Sequence, residues 1–270
     1  MTAVSLGRSR SRIVVAAEQT WALTVRATLA TARNPANWMP GLIFPMVMAA
    51  VYAAQFADAT DLPAFPEVDS FLQFILPSAI LQGIAFNSAN AGSDMAIDIE
   101  TGFFDRLVSS PVARQSILIG RVGGAAASAA FQAVVLMIVF LAFGAPVKSG
   151  IGGAVALVII SVLLAIALAG FGLVVALRTG SAEATQAMFP LIFVAVFVSS
   201  AFFPTELMRG WYQEVAEANP FTLIIDPTRE LVITGWDWSA FGQAVGITLL
   251  VAVFSLGLSY RAYLGRLASS

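Results

Sequence analysis

Residues 149–177 read SGIGGAVALVIISVLLAIALAGFGLVVAL, a run without a single Asp, Glu, Lys or Arg. A helix needs about 20 apolar residues to cross the ~30 Å hydrocarbon core of a bilayer, and this run is long enough to do so. Five more charge-free stretches of similar kind occupy residues 38–56, 71–93, 122–146, 184–203 and 239–260. The sequence therefore predicts an all-α membrane protein with six transmembrane helices.

The composition excludes a soluble protein and several kinds of chemistry. Hydrophobic residues make up 59% of the chain and charged residues 11%, against about 25% charged residues in soluble domains. Cysteine and histidine are absent, which rules out disulfides, thiolate metal sites and the commonest general base. The net charge of −2 gives no reason to expect a nucleic-acid partner.

The distribution of basic residues predicts the orientation. Of the 14 Lys and Arg residues, 11 fall on the N-terminus, the second loop, the fourth loop and the C-terminus. Because basic residues collect on the cytoplasmic side, we expect both termini in the cytoplasm. The predicted organisation is a cytoplasmic N-terminus, a membrane domain containing a loop at 94–121 and an outer segment at 204–238, and a short tail, with boundaries at 1–37, 38–262 and 263–270.

The segment before the first span is predicted to be an amphipathic helix from Glu18 to Arg33. Trp21 and Leu29 lie on one side of the helical wheel, and Arg26 lies elsewhere. Such a helix lies in the membrane interface with its apolar face in the headgroup layer. Two interpretations remain open, a plain surface anchor and an elbow helix that contacts a cytoplasmic partner.

The loop at 94–121 is the densest polar stretch of the chain. A second amphipathic helix is predicted over about 98–110, where Phe103, Phe104 and Leu107 form an apolar stripe and Pro111 ends the helix. The stripe needs an apolar environment, which either the headgroup layer or a groove on a partner protein would provide.

Uncharged polar residues and phenylalanines mark two of the predicted spans. Such side chains in membrane helices usually contact neighbouring helices, and a role in lining a path for cargo is the alternative. The residues concerned are Ser78, Gln82, Phe86, Asn87 and Asn90 in the second span and Phe189, Phe193 and Phe197 in the fifth.

Two short helices are predicted in the outer segment. Leu207, Trp211 and Val215 repeat every four residues, and Asn219-Pro220 is expected to end that helix. Asp226-Pro227 is expected to begin the second one, with Asp as N-cap and Pro at the first helical position. The pair would either cap an exit path or seal the end of the bundle.

The loop carries a recognisable signature. Glu100-Thr-Gly-Phe-Phe-Asp-Arg-Leu-Val-Ser-Ser-Pro-Val-Ala-Arg114, followed by Ile119-Gly-Arg121, resembles the signature of ABC-2-type transporter permeases, especially the daunorubicin-resistance-like branch. The resemblance covers nearly the whole chain and extends to Arg33-Asn-Pro35 and Asp226-Pro-Thr-Arg229.

The resemblance implies a half-transporter that pairs with an identical or related permease and docks on a cytoplasmic ATPase. It implies that Trp21, Arg26 and Arg33 belong to the interfacial helix. It also implies an ATPase-coupling helix formed by Asp98, Glu100, Thr101, Gly102, Phe103, Phe104, Asp105, Arg106, Leu107, Ser110, Pro111 and Arg114.

ATP and Mg²⁺ are expected in the partner subunit and no cofactor in this chain. A P-loop ends in Gly-Lys-Ser/Thr, whereas the only lysine, Lys148, follows a valine. The absence of charge in the apolar stretches also favours an external energy source, because ion pumps usually hold ionisable groups there.

The predicted function is thus the permease subunit of an ATP-driven exporter of drugs, lipids or other amphiphiles, surrounded by the lipids of a bacterial inner membrane. One alternative is an ion-coupled secondary transporter, for which Pro77 and Pro190 hint at matching breaks in two halves. Another is a membrane enzyme in which loop acids such as Asp94 and Asp98 bind a divalent ion.

Overall fold

The computed structural model describes residues 12–62 and 65–269, and within these ranges it consists of helices and the turns between them. Arg8 and Arg10, which contribute to the charge asymmetry, lie outside the described residues. Six helices exceed twenty residues: α1 (Arg12–Arg33), α2 (Pro35–Gln55), α3 (Phe71–Glu100), α5 (Arg114–Ala142), α6 (Gly150–Thr179) and α11 (Trp238–Ser269). Five shorter helices connect them: α4 (Phe103–Ser109), α7 (Ala182–Gln186), α8 (Phe189–Phe197), α9 (Trp211–Glu217) and α10 (Pro220–Ile233).

Five helices of the described chain are long and apolar enough to cross a membrane, namely α2, α3, α5, α6 and α11. They match five of the six predicted spans. The remaining predicted span, at 184–203, is not a continuous helix, because α7, α8 and a turn at residues 198–203 occupy it. The nine residues of α8 extend only about 14 Å, so a sixth span stays a prediction.

Helix α3 is the centre of the bundle. It packs against α2, α5, α6, α7 and α10, and Phe74, Leu76, Ile80 and Ile84 are fully shielded from solvent. It begins at Ser70, whose hydroxyl accepts a hydrogen bond from the Gln73 backbone N–H. The helix continues through Pro77, so the break expected there in a two-halved secondary transporter is absent.

Two close backbone approaches set the spacing around α3. A Cβ atom added to Gly92 would lie 2.6 Å from the backbone of Gly172 on α6, and one added to Gly83 would lie 2.3 Å from the carbonyl oxygen of Gly41 on α2. Small residues allow membrane helices to approach closely and to gain van der Waals contact.

The two ends of the bundle differ, and we name each after a short helix. The α4 end holds α1, α4, α7 and the carboxyl ends of α3, α6 and α11. The α10 end holds α9, α10 and the amino end of α11. Helix α10 packs against α3, α6 and α11, and the Val232 carbonyl near its last turn accepts a hydrogen bond from the Lys148 backbone N–H at 2.9 Å.

The second predicted outer helix begins earlier than expected. Asn219 is the N-cap of α10, since its side-chain oxygen accepts a hydrogen bond from the Phe221 N–H at 2.8 Å, and Pro220 occupies the first turn. The predicted start at Asp226-Pro227 is therefore wrong, and Pro227 lies inside the helix. Asn219-Pro220 both ends the preceding segment and begins α10.

Replacing Gly92 by Val should prevent correct assembly of α3 against α6. The added atoms overlap the α6 backbone, and overpacking of this kind costs about 1–3 kcal/mol or more. Gly246→Val on α11 is the matched control, because nothing lies within 4 Å of its Cβ position. The readout is the monodisperse fraction in detergent and its apparent melting temperature. Equal behaviour of the two variants would contradict the close α3–α6 approach.

Candidate functional site

Helix α4 is separated from α3 by a sharp turn. Gly102 adopts φ of 68°, a left-handed conformation that favours glycine, and it turns the chain between Glu100 and Phe103. The prediction of one helix over about 98–110 is corrected accordingly, because Asp98 and Glu100 belong to the last turn of α3.

The apolar stripe of α4 faces the protein's own bundle. Phe104 is 1% exposed and contacts Tyr263 of α11 edge-on, with ring centroids 6.1 Å apart. Leu107 and Val108 pack against the same cluster of buried side chains, which includes Met95. For Phe104 the expectation of a partner groove or the headgroup layer is wrong, because this ring is buried in a cluster with residues of α3, α5, α6 and α11. Phe103, Leu107 and Val108 are half-buried, and for them docking on a partner stays a prediction.

The surface that α4 presents outward is polar. Some of the predicted coupling residues lie on this surface, and others lie beneath it and contact the rest of the protein. Glu100, Thr101, Asp105, Arg106, Pro111 and Arg114 are exposed, whereas Asp98, Gly102, Phe103, Leu107 and Ser110 are half-buried.

A charge cluster joins α1, α3 and α5 behind this surface. Arg121 pairs with both Asp94, at 3.5 Å, and Asp98, and Arg26 approaches Asp98 at 3.5 Å. Two acids are thus balanced by two guanidinium groups. This pairing argues against the alternative in which Asp94 and Asp98 bind a divalent ion, because Arg121 occupies the space between them.

Helix α1 fastens α4 in two further ways. Arg26 lies over the Phe103 ring at 4.1 Å from its centroid, and Arg106 approaches the same ring at 5.8 Å. The Gln19 amide donates a hydrogen bond to the Pro111 carbonyl at 3.1 Å and accepts one from the Ala113 N–H at 2.8 Å. The side-chain amide of Gln19 thus fixes the turn after α4 through both its nitrogen and its oxygen.

The two sides of α1 have different environments. Ala27 is buried against Gly124 of α5, while Trp21 is 69% exposed and Leu29 and Arg33 are also exposed. The exposed side carries the apolar residues that the helical wheel predicts, and its position in the membrane interface stays a prediction. The opposite side contacts the rest of the protein.

The polar residues of α3 take part in internal contacts. Gln132 of α5 donates a hydrogen bond to the Gly41 carbonyl at 2.6 Å and accepts one from Asn87 at 3.2 Å. Asn90 donates to the Asn37 carbonyl at 2.7 Å. Gln82 is buried, and its amide nitrogen has no hydrogen-bond partner among the described residues.

The phenylalanines predicted in the fifth span come together with Phe86 of α3. Phe193 stacks on Phe86 at 5.6 Å and on Phe197 at 4.2 Å, and Phe189 lies 5.1 Å from Phe86. Through Phe202 the row continues toward the α10 end. Residues from both predicted sets therefore form one aromatic row along α3 and α8.

Arg229 of α10 is a site residue that the sequence patterns did not identify, beyond its place in the Asp226-Pro-Thr-Arg229 motif. It is 6% exposed and lies over the Phe74 ring at 4.0 Å. Its guanidinium donates hydrogen bonds to Asp226 Oδ1 at 2.7 Å, Ser78 Oγ at 2.9 Å, the Ser200 carbonyl at 2.6 Å and the Phe74 carbonyl at 3.2 Å. Burial lowers the pKa of Arg229 to about 10, so it stays charged at neutral pH.

A signal for this site was present in the sequence. Arg229 is the only basic residue between Pro220 and Ile233, it follows Asp226 by one helical turn, and the neighbours on both sides are largely apolar. Charged side chains are almost never fully buried unless they are paired. An acid and a base one turn apart within a largely apolar helical stretch therefore indicate a buried ion pair.

Comparison with known proteins supplies independent information. The sequence model of the ABC-2 type transporter family matches residues 18–233. The daunorubicin resistance ABC transporter permease protein DrrB1 of Streptomyces coeruleorubidus is 26% identical over 79% of this chain and 74% of its own length. A putative transport permease, ycf38 of Pyropia yezoensis, is 29% identical over 78% and 72%. The probable multidrug ABC transporter permease YbhR of Escherichia coli K12 is 29% identical over 62% and 45%.

Replacing Arg229 by Lys should destabilise the α10 end. Lysine keeps the charge but cannot reach four acceptors at once, and each buried acceptor left without a donor costs about 1–3 kcal/mol. We expect an apparent melting temperature lower by on the order of 5–10 °C. Arg209→Lys, at an exposed position of the same segment, should leave it unchanged. Equal stability of both variants would contradict a stabilising role for the buried hydrogen bonds of Arg229.

Phe104→Ala should likewise act on folding. Removing a buried aromatic ring costs about 3–5 kcal/mol, so the yield of folded protein in detergent should fall. Phe143→Ala is the control, because Phe143 is 72% exposed. If Phe104→Ala kept wild-type stability, the ring would not be a core residue.

Proposed function

This chain belongs to the ABC-2 type transporter family, whose members are transmembrane subunits of ABC transporters, and from that premise we propose that it exports amphiphilic cargo. In the proposal a separate ATPase docks on the polar surface of α4 and supplies ATP hydrolysis, and two permease subunits form the transport path. The protein lies in a bacterial inner membrane with the α4 end in the cytoplasm.

The observation that carries the proposal is the set of contacts that attach α4 to α1 and α11. Its polar side is exposed, while Phe104, the Arg26–Phe103 contact and the Gln19 hydrogen bonds attach it to α11 and α1. A displacement of α4 therefore moves the helices around it instead of bending a flexible loop. A separate ATPase needs this kind of attachment in order to move the transmembrane helices.

The charge distribution supports the orientation. Most basic residues of the described chain lie at the α4 end, and the positive-inside rule places such an end in the cytoplasm. The residues are Arg26, Arg33, Arg106, Arg114, Arg121, Arg178, Arg261 and Arg266.

The aromatic row supports an apolar or amphiphilic cargo. It follows α3 from Phe86 toward the α10 end, and Phe189 is 40% exposed at its start. The row ends beside the turn that Arg229 holds. Aromatic rings offer apolar area with few rotatable bonds, which suits ligands that differ in detail. The relatives named for drug resistance and multidrug transport agree with such a cargo.

Charge reversal on α4 tests the docking surface. Arg106→Glu should weaken copurification of the ABC ATPase encoded nearest to this gene by about tenfold and lower ATP hydrolysis by the complex, with an unchanged melting temperature. Arg209→Glu reverses an exposed charge in the segment between α8 and α10 and should have no effect. If no ABC ATPase binds and the purified chain transports down an ion gradient alone, the proposal fails in favour of a secondary transporter.

A further inference from the structure

The bend between α1 and α2 encloses a cavity that the aromatic row does not include. Helix α1 ends at Arg33, Asn34 adopts an extended conformation, and Pro35 begins α2 in a new direction. A cavity of about 270 Å³ lies in the angle, against α5. We call it the elbow pocket, and its defining residues are Trp38, Leu42, Asn87, Ser128, Phe131 and Gln132.

One side of the elbow pocket is apolar and open to the surroundings of the bundle. Trp38 and Phe131 meet edge-on with ring centroids 6.4 Å apart, and Leu42 extends this wall. Phe131 is 60% exposed, and Ala127, which also lines the pocket, is exposed. Because α2 and α5 are long and apolar enough to cross a membrane, we expect this opening to face lipid, so that an apolar chain can enter from the side.

The inner side of the elbow pocket is polar and uncharged. Gln132, 2% exposed, and Asn87 form the floor, and each makes hydrogen bonds that fix its orientation. An amide carries two N–H donors and two acceptor lone pairs, so each retains capacity for a further partner. Ser128 adds a hydroxyl beside them.

A second, smaller cavity continues inward from this floor. It has a volume of about 30 Å³, shares Asn87, Ser128 and Gln132 with the elbow pocket, and extends to Asp94 and Arg121. That volume corresponds to about one water molecule. Because Arg121 is already paired with two acids, it is not available to neutralise a charged ligand head.

We propose that the elbow pocket binds an amphiphile with a single acyl chain and an uncharged hydroxyl- or amide-bearing head. The chain lies between Trp38, Leu42 and Phe131, and the head contacts Asn87, Ser128 and Gln132. The volume of about 270 Å³ lies just below the ~300–1,000 Å³ of typical ligand pockets, which favours one chain segment over two. Binding itself does not depend on the proposed function, whereas a role as an entry site for cargo does.

The test uses the full chain in nanodiscs of phosphatidylethanolamine and phosphatidylglycerol. The probe is a monoacylglycerol with a photoreactive diazirine in its chain, and labelled positions are mapped by mass spectrometry of peptides. We expect labels concentrated at Trp38, Leu42 and Phe131. Ala127→Trp fills the opening and should reduce labelling there about tenfold.

Ile138→Trp is the matched control. It adds the same ring to an exposed position of α5, about 16 Å further along the helix, and should leave labelling at the elbow pocket unchanged. Labels spread evenly over the lipid-facing surface, or labelling unaffected by Ala127→Trp, would overturn the proposal.

Two further measurements test the selectivity of the site and separate the two proposals. A phosphatidylethanolamine carrying the same diazirine has two acyl chains and a charged headgroup, so labelling of the pocket by this lipid as strong as that by the monoacylglycerol would overturn the proposal. Selectivity for the monoacylglycerol would support it. Copurification of the ATPase is measured on the unmodified chain alongside the labelling, so that absence of the complex with labels concentrated at the elbow pocket counts against the proposed function only.

Discussion

Backbone polar groups inside a membrane bundle must find partners within the protein, because lipid offers none. The end of α8 shows what this constraint requires. The Asn219 amide donates hydrogen bonds to the carbonyls of Ala195 and Val198, Tyr212 donates to that of Phe197, and Arg229 donates to that of Ser200. The interrupted helix persists because the side chains of Tyr212, Asn219 and Arg229 replace the missing helical hydrogen bonds.

This arrangement explains why α9 and α10 are more than a cover on the bundle. Helix α10 reaches Ser78 of α3 through Arg229, and α3 reaches the α4 end through Asp94 and Asp98. One continuous helix of 30 residues therefore connects the buried arginine at one end with the charge cluster at the other. The aromatic row runs beside the same helix. Any axial movement of α3 therefore changes both the row and the turn at residues 198–203.

The sequence predicted the elements that depend on local patterns. Charge-free length predicted six spans, five of which correspond to long helices. The helical wheel predicted the side of α1 that carries Trp21 and Leu29, which is exposed. The partner of the Phe104 stripe could not be predicted, because an apolar stripe specifies an apolar environment and not which molecule provides it. The start of α10 was misplaced because Asn219-Pro220 and Asp226-Pro227 are equally good start signals, and only the capping hydrogen bond to Phe221 distinguishes them.

The pairing of charges in the bundle has an electrical consequence. Moving one elementary charge through a potential of 100 mV involves about 2.3 kcal/mol. Arg229 is accompanied by Asp226, and Arg26 and Arg121 are accompanied by Asp94 and Asp98, so each group carries no net charge. If the pairs travel together, a conformational cycle transfers no gating charge, and the membrane voltage neither drives nor resists it. In the proposed transporter the conformational change is then electrically silent, and the voltage acts only on charge that the cargo itself carries.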